Sequence, residues 1–409
     1  MAKISVIGLG YMGLPTASLL AQAGHTVLGV DVLPHVVEAV NAGQTHFEET
    51  GLKELLHAAH ASGRLKAFLT PQPADVFIIS VPTPVDHATH AADMSYVQAA
   101  ARNVAPVLKA GDLVVLESTS PMGATERDVR AIIAKANPAV VDKVLFAFCP
   151  ERAIPGNTLH EMVHNDRYVG GLTAEATEAA LTLYKTFVKG ELIATTAATA
   201  EMVKLVENAS RDVQIAFANE LHLVCDKLGL DVREVVRLAN RHPRVNILQP
   251  GPGVGGHCIP VDPWFIVDAA PEVTPLMRTA RAVNDGKPQW VVDKVKAALK
   301  ANPAYSSGAT VAVMGLAYKP DVDDLRESPA MTIYELLRAQ TQATIIACEP
   351  HVTRAIHAGQ HGEGEVIPNL PVAEALQRAD IVVFATAHTQ FKTLNVTGKV
   401  VVDPVGILG

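Results

Sequence analysis

The chain has 409 residues, of which 49% are hydrophobic and 19% are charged, so it contains enough apolar material for two or three packed domains. The formal net charge of -8 is not concentrated in a basic stripe or a polybasic patch, which argues against nucleic acid or a membrane surface as a partner. No apolar run is long enough to span a bilayer, and a strand pattern begins directly after the first residues, without a signal peptide. The four cysteines are widely separated and lack the spacing of a metal site, so we predict free thiols, a cytoplasmic location and no metal ion.

In the first third of the chain, apolar strand patterns alternate with helical stretches such as Leu14–Ala23. This βαβ alternation predicts a parallel sheet with helices on both faces. The predicted strands are Ile4–Ile7, Thr26–Val30, Val76–Val81, Leu113–Leu116, Val144–Phe148 and a segment near Tyr168–Gly170.

The middle of the chain has a helical pattern, and the last third returns to alternating strands and helices. Apolar residues recur mostly every three or four positions from Thr199 to Lys227, which predicts one long helix, and a second helix is predicted at Val232–Asn240. A segment rich in Pro, Ser and Gly at 302–308 is a candidate linker. The predicted strands of the last third are Thr310–Gly315, Ala343–Cys348, Ile381–Ala385 and Val400–Asp403.

These patterns together predict an α/β protein with two doubly wound, Rossmann-like domains. A central helical region with one long helix joins the two domains. The predicted boundaries are residues 1–197 for the first domain, 198–300 for the helical region and 301–409 for the second domain.

A glycine-rich turn directly follows the first predicted strand and opens a helix, which is the context in which G-x-G-x-x-G indicates a dinucleotide site. Asp31 ends the second predicted strand, where its carboxylate can accept hydrogen bonds from a ribose diol and would repel a 2′-phosphate. We therefore predict NAD rather than NADP as the cofactor. The residues of the turn are Gly8, Leu9, Gly10, Tyr11, Met12 and Gly13.

Two further loops, Val81–Pro84 and Glu117–Pro121, follow the next two predicted strands along the chain. The carboxyl ends of parallel strands are where a dinucleotide crosses such a sheet, so Pro82, Thr83 and Thr119 become candidate cofactor contacts. Taken alone, each loop is equally compatible with a plain turn.

Cys258 differs from the other cysteines because it ends the Gly/Pro-rich loop 249–258 and precedes Asp262-Pro263, a pair typical of a helix N-cap followed by Pro. A thiol near a helix start and among small residues is accessible and favours the thiolate. The alternatives are that Cys258 is a structural cysteine and that Asp262 only caps the predicted helix. His257 adjoins the thiol, but neighbouring side chains often diverge, so it is a weak candidate for a base.

The long predicted helix carries Lys204, Asn208 and Arg211 at positions i, i+4 and i+7, which places them on one face. A Lys, an Asn and an Arg suit an anionic, hydroxylated ligand and a developing oxyanion. The alternative is an ordinary solvated face. A second cationic cluster, 241–244, precedes the glycine-rich loop and lies either at the surface or at a substrate site.

These motifs together resemble those of the UDP-glucose/GDP-mannose dehydrogenase family, and the resemblance covers essentially the whole chain. The most specific match is 253–262, which resembles the family's nucleophile loop. The other matching segments are 149–152, 201–208, 315–320 and 324–329. Segment 241–251 is most similar to members that act on UDP-N-acetyl-D-mannosamine. UDP-N-acetylglucosamine and UDP-glucose are the alternative substrates.

The resemblance implies a role for each matching residue. It implies that Cys258 is the nucleophile, that Lys204 and Asn208 stabilise oxyanions, that Asp262 assists the water or the Lys, and that Glu151 takes part in thioester hydrolysis. It implies NAD contacts by Thr119 and Arg326. The residues implied to line the nucleotide-sugar site are Arg152, Ala153, Lys204, Asn208, Arg211, His242, Arg244, Gly255, Tyr318 and Lys319.

The family also forms homodimers through its long central helix and holds UDP in the C-terminal domain. One departure concerns 403–406, where Val405 stands in place of the basic residue that the mannosamine type tends to carry.

The residue types fit a four-electron oxidation of a terminal alcohol through a thiohemiacetal and a thioester on Cys258. A two-electron dehydrogenase of the 3-hydroxyacid type shares the glycine turn and a helix-borne Lys, but it needs neither the thiol nor a second α/β domain. An NAD-sensing regulator would not need a nucleophile beside a set of hydrogen-bond donors.

Overall fold

The computed structural model describes residues 1–86, 89–154, 156–256, 258–359 and 364–408, and the chain divides into two units. The first unit comprises 1–207 with 268–270, and the second comprises 208–267 with 271–409. Within the described residues, no helix combines the length and the apolar character needed to cross a membrane.

The first unit is built on an eight-stranded sheet with the order β3-β2-β1-β4-β5-β6-β7-β8. Neighbouring strands run parallel except β6 and β7, which are antiparallel. The strands are β1 Lys3–Ile7, β2 Thr26–Val30, β3 Leu65–Phe68, β4 Val76–Ile79, β5 Leu113–Leu116, β6 Leu145–Phe148, β7 Arg167–Gly171 and β8 Leu192–Thr196.

Two apolar clusters cover the two faces of this sheet. Because β4 and β5 are buried along their whole length, they are continuous apolar runs rather than alternating patterns. The helices of this unit are α1 Gly13–Gln22, α2 Pro34–Asn41, α3 Leu52–Ala61, α4 Ser95–Val104, α5 Ala131–Ala136, α6 Thr158–His164 and α7 Ala174–Tyr184.

The second unit contains a four-stranded parallel sheet with the order β10-β9-β13-β14 and a short antiparallel pair, β11 and β12. Apolar clusters cover both faces of the parallel sheet. The strands are β9 Thr310–Met314, β10 Thr344–Cys348, β11 Ile356–His357, β12 Val366–Ile367, β13 Ile381–Phe384 and β14 Val400–Val402.

One long helix, α8, runs from the first unit into the second. The helices in the remainder of the chain are α8 Ala197–Leu228, α9 Val232–Ala239, α10 Asp262–Ala269, α11 Pro275–Ala301, α12 Pro329–Gln340 and α13 Val372–Arg378. The carboxylate of Glu201 anchors the first turns of α8 in the first unit, since it accepts hydrogen bonds from Gly123 N at 2.6 Å and from Thr125 N at 2.9 Å.

The predicted fold class is confirmed, and each predicted strand and helix is present with bounds that differ by no more than two residues. The patterns missed β3 and β8, which are only partly buried, and the two-residue strands β11 and β12. They also missed α11, whose polar sequence contains Pro288. The helix α10 begins at Asp262 itself, one residue before the first helical position expected at Pro263. The candidate linker contains a short 3-10 turn, Pro303–Ser307.

Candidate active site

The glycine-rich turn between β1 and α1 has the backbone that a dinucleotide pyrophosphate requires. Gly8 has a φ of 92°, and a Cβ there would collide with the carbonyl oxygen of Ser80, whereas a Cβ on Gly13 would collide with that of Gly8. Gly10 is exposed, and a Cβ there would meet no atom within 4 Å. The turn thus leaves space at Gly10 for a phosphate to approach the backbone at the start of α1. Tyr11 and Met12 complete this turn.

Asp31 lies directly after β2, and its carboxylate is oriented by two backbone groups. Oδ2 accepts a hydrogen bond from Leu9 N and Oδ1 accepts one from Leu33 N, each at 3.0 Å. An ionised carboxylate can accept about four hydrogen bonds, so this one retains capacity for a ribose diol. The arrangement fits NAD at this edge of the sheet.

The two loops after β4 and β5 are joined by Ser118. Its hydroxyl accepts a hydrogen bond from Val81 N at 2.9 Å and donates one to Val81 O at 2.7 Å. Thr83 and Thr119, which are partly buried, therefore belong to one connected edge of the sheet, and Pro82 is exposed there. Both loops follow adjacent parallel strands, as a cofactor edge requires.

Cys258 is exposed, whereas Cys149, Cys225 and Cys348 are buried, which is typical of cysteines that pack in a core. Burial raises the pKa of both the Cys149 and the Cys348 thiols to about 12, so neither of those two ionises at neutral pH. The carbonyl of Cys258 accepts a hydrogen bond from Asp262 N at 2.8 Å, which places this residue at the N-terminus of α10. His257 lies outside the described residues.

Asn208 of α8 and Asp262 of α10 are brought into direct contact. The Asn208 Nδ2 amide donates a hydrogen bond to Asp262 Oδ2 at 2.5 Å, and Asp262 is buried. The backbone bond from Asp262 to Cys258 connects the same aspartate with the thiol residue. Three predicted catalytic residues therefore form one connected group in the second unit.

The glycine-rich loop packs against a segment that is distant in the sequence. A Cβ on Gly256 would lie 2.9 Å from the Tyr318 ring, and one on Gly255 would lie 2.6 Å from Glu327 O. Gly256 N also donates a hydrogen bond to Arg326 O at 3.2 Å. Only glycine permits this approach, so the loop beside the thiol and the 318–327 segment form one surface.

Tyr318 is partly buried on that surface. Burial, followed by the nearby carboxylate of Asp324, raises the pKa of Tyr318 above its usual value, and Cys258 adds to the increase. Lys319 is exposed beside it, and the Arg326 guanidinium pairs with Asp324 at 2.6 Å. The predicted substrate residues Gly255 and Tyr318 are thus brought together with the predicted NAD contact Arg326.

Glu151 is held in the first unit by several donors. Its Oε1 accepts hydrogen bonds from Arg152 N at 2.7 Å and from Ala153 N at 2.8 Å, and its Oε2 accepts one from Arg167 Nη2. The Arg152 side chain pairs with Glu207 at 2.5 Å. Lys204, on the same helix as Glu207, is buried in this unit.

The sequence did not identify the buried polar cluster behind Glu151. Arg167 Nη1 lies 3.9 Å from Glu117 Oε1, and Tyr184 donates a hydrogen bond to the same oxygen at 2.6 Å. Burial raises the pKa of Glu117 to about 7, although the charge of Arg167 acts in the opposite direction. Glu117 opens a loop that had been singled out, but nothing in its pattern indicated that it shares Arg167 with Glu151.

The other predicted cations lie at the surface. Arg211, His242 and Arg244 are exposed. Asn240 closes the loop that carries the last two, since its amide donates to Ile247 O at 2.9 Å and its Oδ1 accepts from Ile247 N at 2.7 Å.

Near the C-terminus, the side chain of Arg233 brings a positive charge to the segment that contains Val405. The guanidinium of Arg233 lies so close to Gly406 that a Cβ there would overlap it, and Arg233 also donates to Asp403 O at 3.3 Å. A basic group therefore reaches the 403–406 segment from α9.

The fold and these groups define a dehydrogenase that uses a nicotinamide dinucleotide. Models of the UDP-glucose/GDP-mannose dehydrogenase family match the chain in three parts: the NAD binding domain at 2–188, the central domain at 198–286 and the UDP binding domain at 312–409. The chain belongs to this family and is an NAD-dependent nucleotide-sugar dehydrogenase.

Individual relatives agree with this assignment. The chain is 50% identical to an NDP-N-acetyl-D-galactosaminuronic acid dehydrogenase from Ralstonia nicotianae, with 99% of this chain and 96% of the relative covered. It is 48% identical to a UDP-N-acetyl-D-mannosamine dehydrogenase from Yersinia pestis, with 99% and 98% covered. The structure of a UDP-D-ManNAc dehydrogenase from Pyrococcus horikoshii superposes with a TM-score of 0.89 at 37% identity, covering 100% of this chain and 96% of that one.

Proposed function

We propose that this enzyme oxidises the 6-hydroxymethyl group of UDP-N-acetyl-D-mannosamine to a carboxylate in a four-electron reaction with Cys258 as the nucleophile. The observation that carries the proposal is the position of Cys258, which is exposed at the start of α10 and linked through Asp262 to Asn208. The product is UDP-N-acetyl-D-mannosaminuronic acid. A two-electron dehydrogenase has no use for such a thiol, and neither does an NAD-sensing regulator.

The proposed reaction begins with oxidation of the sugar alcohol to an aldehyde. The Cys258 thiolate adds to the aldehyde carbon and forms a thiohemiacetal, whose oxidation leaves a thioester. Water then cleaves the thioester, which releases the carboxylate and regenerates the thiol. Bound NAD supplies the hydride acceptor for each of the two oxidations, so two NADH form per sugar.

The roles proposed for the side chains follow from the charge that each step develops. An alkoxide and two tetrahedral oxyanions form in turn, and the Lys204 ammonium and the Asn208 amide are proposed to stabilise them. Asp262 accepts a hydrogen bond from Asn208 and would thereby orient that amide. Glu151 is proposed to assist the water that cleaves the thioester.

The remaining predicted site residues are proposed as binding contacts. Proposed NAD contacts are the turn residues Gly8, Gly10, Tyr11, Met12 and Gly13 with Asp31, Pro82, Thr83, Thr119 and Arg326. Proposed nucleotide-sugar contacts are Arg152, Ala153, Lys204, Asn208, Arg211, His242, Arg244, Gly255, Tyr318 and Lys319.

The choice of sugar rests on segment 241–251 and on the relative named for N-acetylmannosamine. A second candidate is an N-acetylgalactosamine nucleotide, because the Ralstonia relative is named for that sugar acid. UDP-N-acetylglucosamine and UDP-glucose remain alternatives within the family. Epimers differ at one carbon, so discrimination must come from hydrogen bonds that the wrong epimer leaves unpaired.

A substrate panel tests this choice. NADH formation would be followed with UDP-N-acetylmannosamine, UDP-N-acetylgalactosamine, UDP-N-acetylglucosamine, UDP-glucose and GDP-mannose. We expect the highest kcat/KM for UDP-N-acetylmannosamine and two NADH per sugar. A higher kcat/KM for another sugar would refute the choice of substrate, whereas a ratio of one NADH would refute the four-electron mechanism.

We also propose that the enzyme is a homodimer formed through α8 and acts in the cytoplasm. Support for the dimer comes from Phe217, Val224 and Leu228, which are exposed on α8 at spacings of seven and four and therefore form one apolar stripe. Support for the location comes from the four free cysteines, which fit a reducing compartment.

A further inference from the structure

Two histidines and an aspartate converge at one edge of the four-stranded sheet in the second unit. Asp321, His351 and His388 follow β9, β10 and β13 respectively, so three separate loops contribute to the cluster. The carboxyl ends of parallel strands meet at this edge. The cluster is built from residues to which the proposed oxidation assigns no role.

The nitrogen and oxygen atoms of the cluster are spaced like metal ligands. Asp321 Oδ1 lies 3.4 Å from His351 Nε2 and 3.7 Å from His388 Nδ1, and the three ligand atoms all lie within 4.8 Å of one another. Ligand atoms around a tetrahedral zinc are roughly 3.4 Å apart, because each lies about 2.0–2.2 Å from the metal. Movements of about 1 Å, together with release of the hydrogen bond that Asp321 N donates to His388 Nδ1, would place all three in one coordination sphere.

Two hydrogen bonds define the tautomer of the His388 ring. Its Nε2 lies 3.0 Å from Glu349 Oε2, and a carboxylate can only accept, so Nε2 carries the proton and Nδ1 carries the lone pair. Glu349 is itself buried and accepts hydrogen bonds from Leu316 N at 2.7 Å and Ala317 N at 2.8 Å. A carboxylate behind a ligating histidine is the usual outer-shell arrangement in zinc sites.

The other two side chains also present ligand atoms. His351 Nε2 is buried and has no hydrogen-bond partner among the described residues. Asp321 is oriented by Thr389, whose backbone N donates to Oδ1 at 2.8 Å and whose hydroxyl donates to Oδ2 at 2.6 Å. A buried nitrogen without a partner beside an oriented carboxylate is costly unless a ligand or a proton satisfies it.

We propose that Asp321, His351 and His388 form a binding site for a zinc-class divalent cation, with solvent or a ligand in the fourth position. Imidazole and carboxylate ligands favour zinc, nickel and copper over magnesium or calcium, which prefer oxygen ligands. Coordination replaces the hydrogen bond that Asp321 N donates to His388 Nδ1 at 2.9 Å, and the loss of that bond weakens binding. The cation would connect the three loops that follow β9, β10 and β13.

The test is calorimetric titration of the full chain with ZnCl2 after treatment with a chelator, together with the His351→Gln and Asp321→Asn variants. We expect each variant to bind zinc at this site at least about 10–100-fold more weakly than the unsubstituted protein. His57→Gln, which replaces an exposed histidine in the first unit, is the matched control and should bind as the unsubstituted protein does. All titrations are repeated in the Cys258→Ser background, because a thiolate also binds zinc.

Thermal unfolding provides a second readout. Saturating zinc should raise the Tm of the unsubstituted protein and of His57→Gln by at least about 2 °C, with no such increase for His351→Gln or Asp321→Asn. Magnesium at the same concentration should have no effect. Equal zinc binding by the unsubstituted protein and both variants would overturn the proposal and would indicate that the His351–Asp321 contact is an ordinary ion pair. Because the readouts are binding and stability, this result would leave the proposed oxidation unaffected.

Discussion

The Asn208 amide donates a 2.5 Å hydrogen bond to the carboxylate of Asp262, and the two residues are 54 positions apart in the chain. The bond joins α8 to the first residue of α10. It fixes the rotation of the Asn208 amide, for which we propose a role in stabilising a developing oxyanion, and it places a carboxylate next to the loop of Cys258.

Removing either partner of this bond should slow the reaction. If Asn208 donates to the oxyanion, Asn208→Ala should lower kcat by about 10²–10³. Asp262→Ala should also lower kcat, because Asn208 then loses the partner that orients it. The two effects should not add in the double variant, since the residues act as a unit. Steady-state kinetics of both single variants and the double variant would measure the coupling, with the exposed Asn103→Ala as the control. Strictly additive effects would contradict an orienting role for Asp262.

Cys258→Ser should abolish the second oxidation. Serine keeps the size of the side chain but is far less acidic, so turnover should collapse and any product should be an aldehyde or a slowly hydrolysed ester on the new serine. Cys149→Ser, Cys225→Ser and Cys348→Ser remove buried thiols and should leave the ratio at two NADH per sugar. Mass spectrometry of trapped enzyme would locate the adduct. Near-normal turnover by Cys258→Ser would show that the thiol is structural.

Asp31→Ala should weaken NAD binding and reduce the discrimination against NADP. The variant removes charge-assisted hydrogen bonds to the ribose, which typically contribute about 1.5–3 kcal/mol, so the KM for NAD should rise roughly 10–100-fold. It also removes the repulsion of a 2′-phosphate. Initial rates with both cofactors measure the change, and Asp142→Ala, which alters an exposed ion pair with Arg130, is the control. Equal use of NAD and NADP by the unsubstituted enzyme would contradict the role given to Asp31.

The buried Glu117 should make stability depend on pH. Its pKa is raised from an ordinary value near 4.5 to about 7, so the folded state holds a proton that the unfolded chain releases between those values. The resulting stabilisation is complete below about pH 4.5 and is lost as the pH rises through about 7, at about 1.4 kcal/mol per pKa unit. Glu117→Gln is always neutral and should remove this component. Unfolding curves at pH 5, 6, 7 and 8 would measure the free energy of unfolding of both proteins. The unsubstituted protein should lose stability relative to Glu117→Gln as the pH rises from 5 to 7, and the difference should level off between pH 7 and 8. A difference that is constant with pH would contradict the raised pKa.

The exposed stripe on α8 should be covered by a second copy of the chain. Light scattering at micromolar concentration should give about twice the chain mass of 43.4 kDa. Phe217→Glu and Leu228→Glu place charges on side chains that are 59% and 66% exposed and should shift the enzyme toward monomer. Val273→Glu changes a residue that is 71% exposed but lies off the helix, and it should leave the mass unchanged. A fully active monomer of the unsubstituted protein would remove the dimer proposal.

The strands and helices around the site were predictable because their signals are local. The glycine turn after β1, the acid after β2 and the periodicity of α8 all lie within short windows, where backbone geometry and the burial of one face dictate the residue types. The same holds for Cys258, since a Gly/Pro-rich loop before Asp-Pro marks an accessible thiol near a helix start. The antiparallel direction of β7 and the polar helix α11 had no such signal, because packing in the folded unit outweighs weak local preference. The predicted division of the chain into three domains, with boundaries after residues 197 and 300, stays a prediction.

By itself, the sequence determined the glycine turn after β1, the accessible thiol of Cys258 and the set of polar residues on α8, because each depends on residue type and spacing along one element. Only the tertiary structure decided which distant groups meet. Tyr318 packs on Gly256, Arg167 joins Glu117 to Glu151, Arg233 reaches Gly406, and His351 faces Asp321. Contacts of this kind depend on how sheets and helices pack across long chain separations, and that packing is a collective property of the whole core rather than of any window of the sequence.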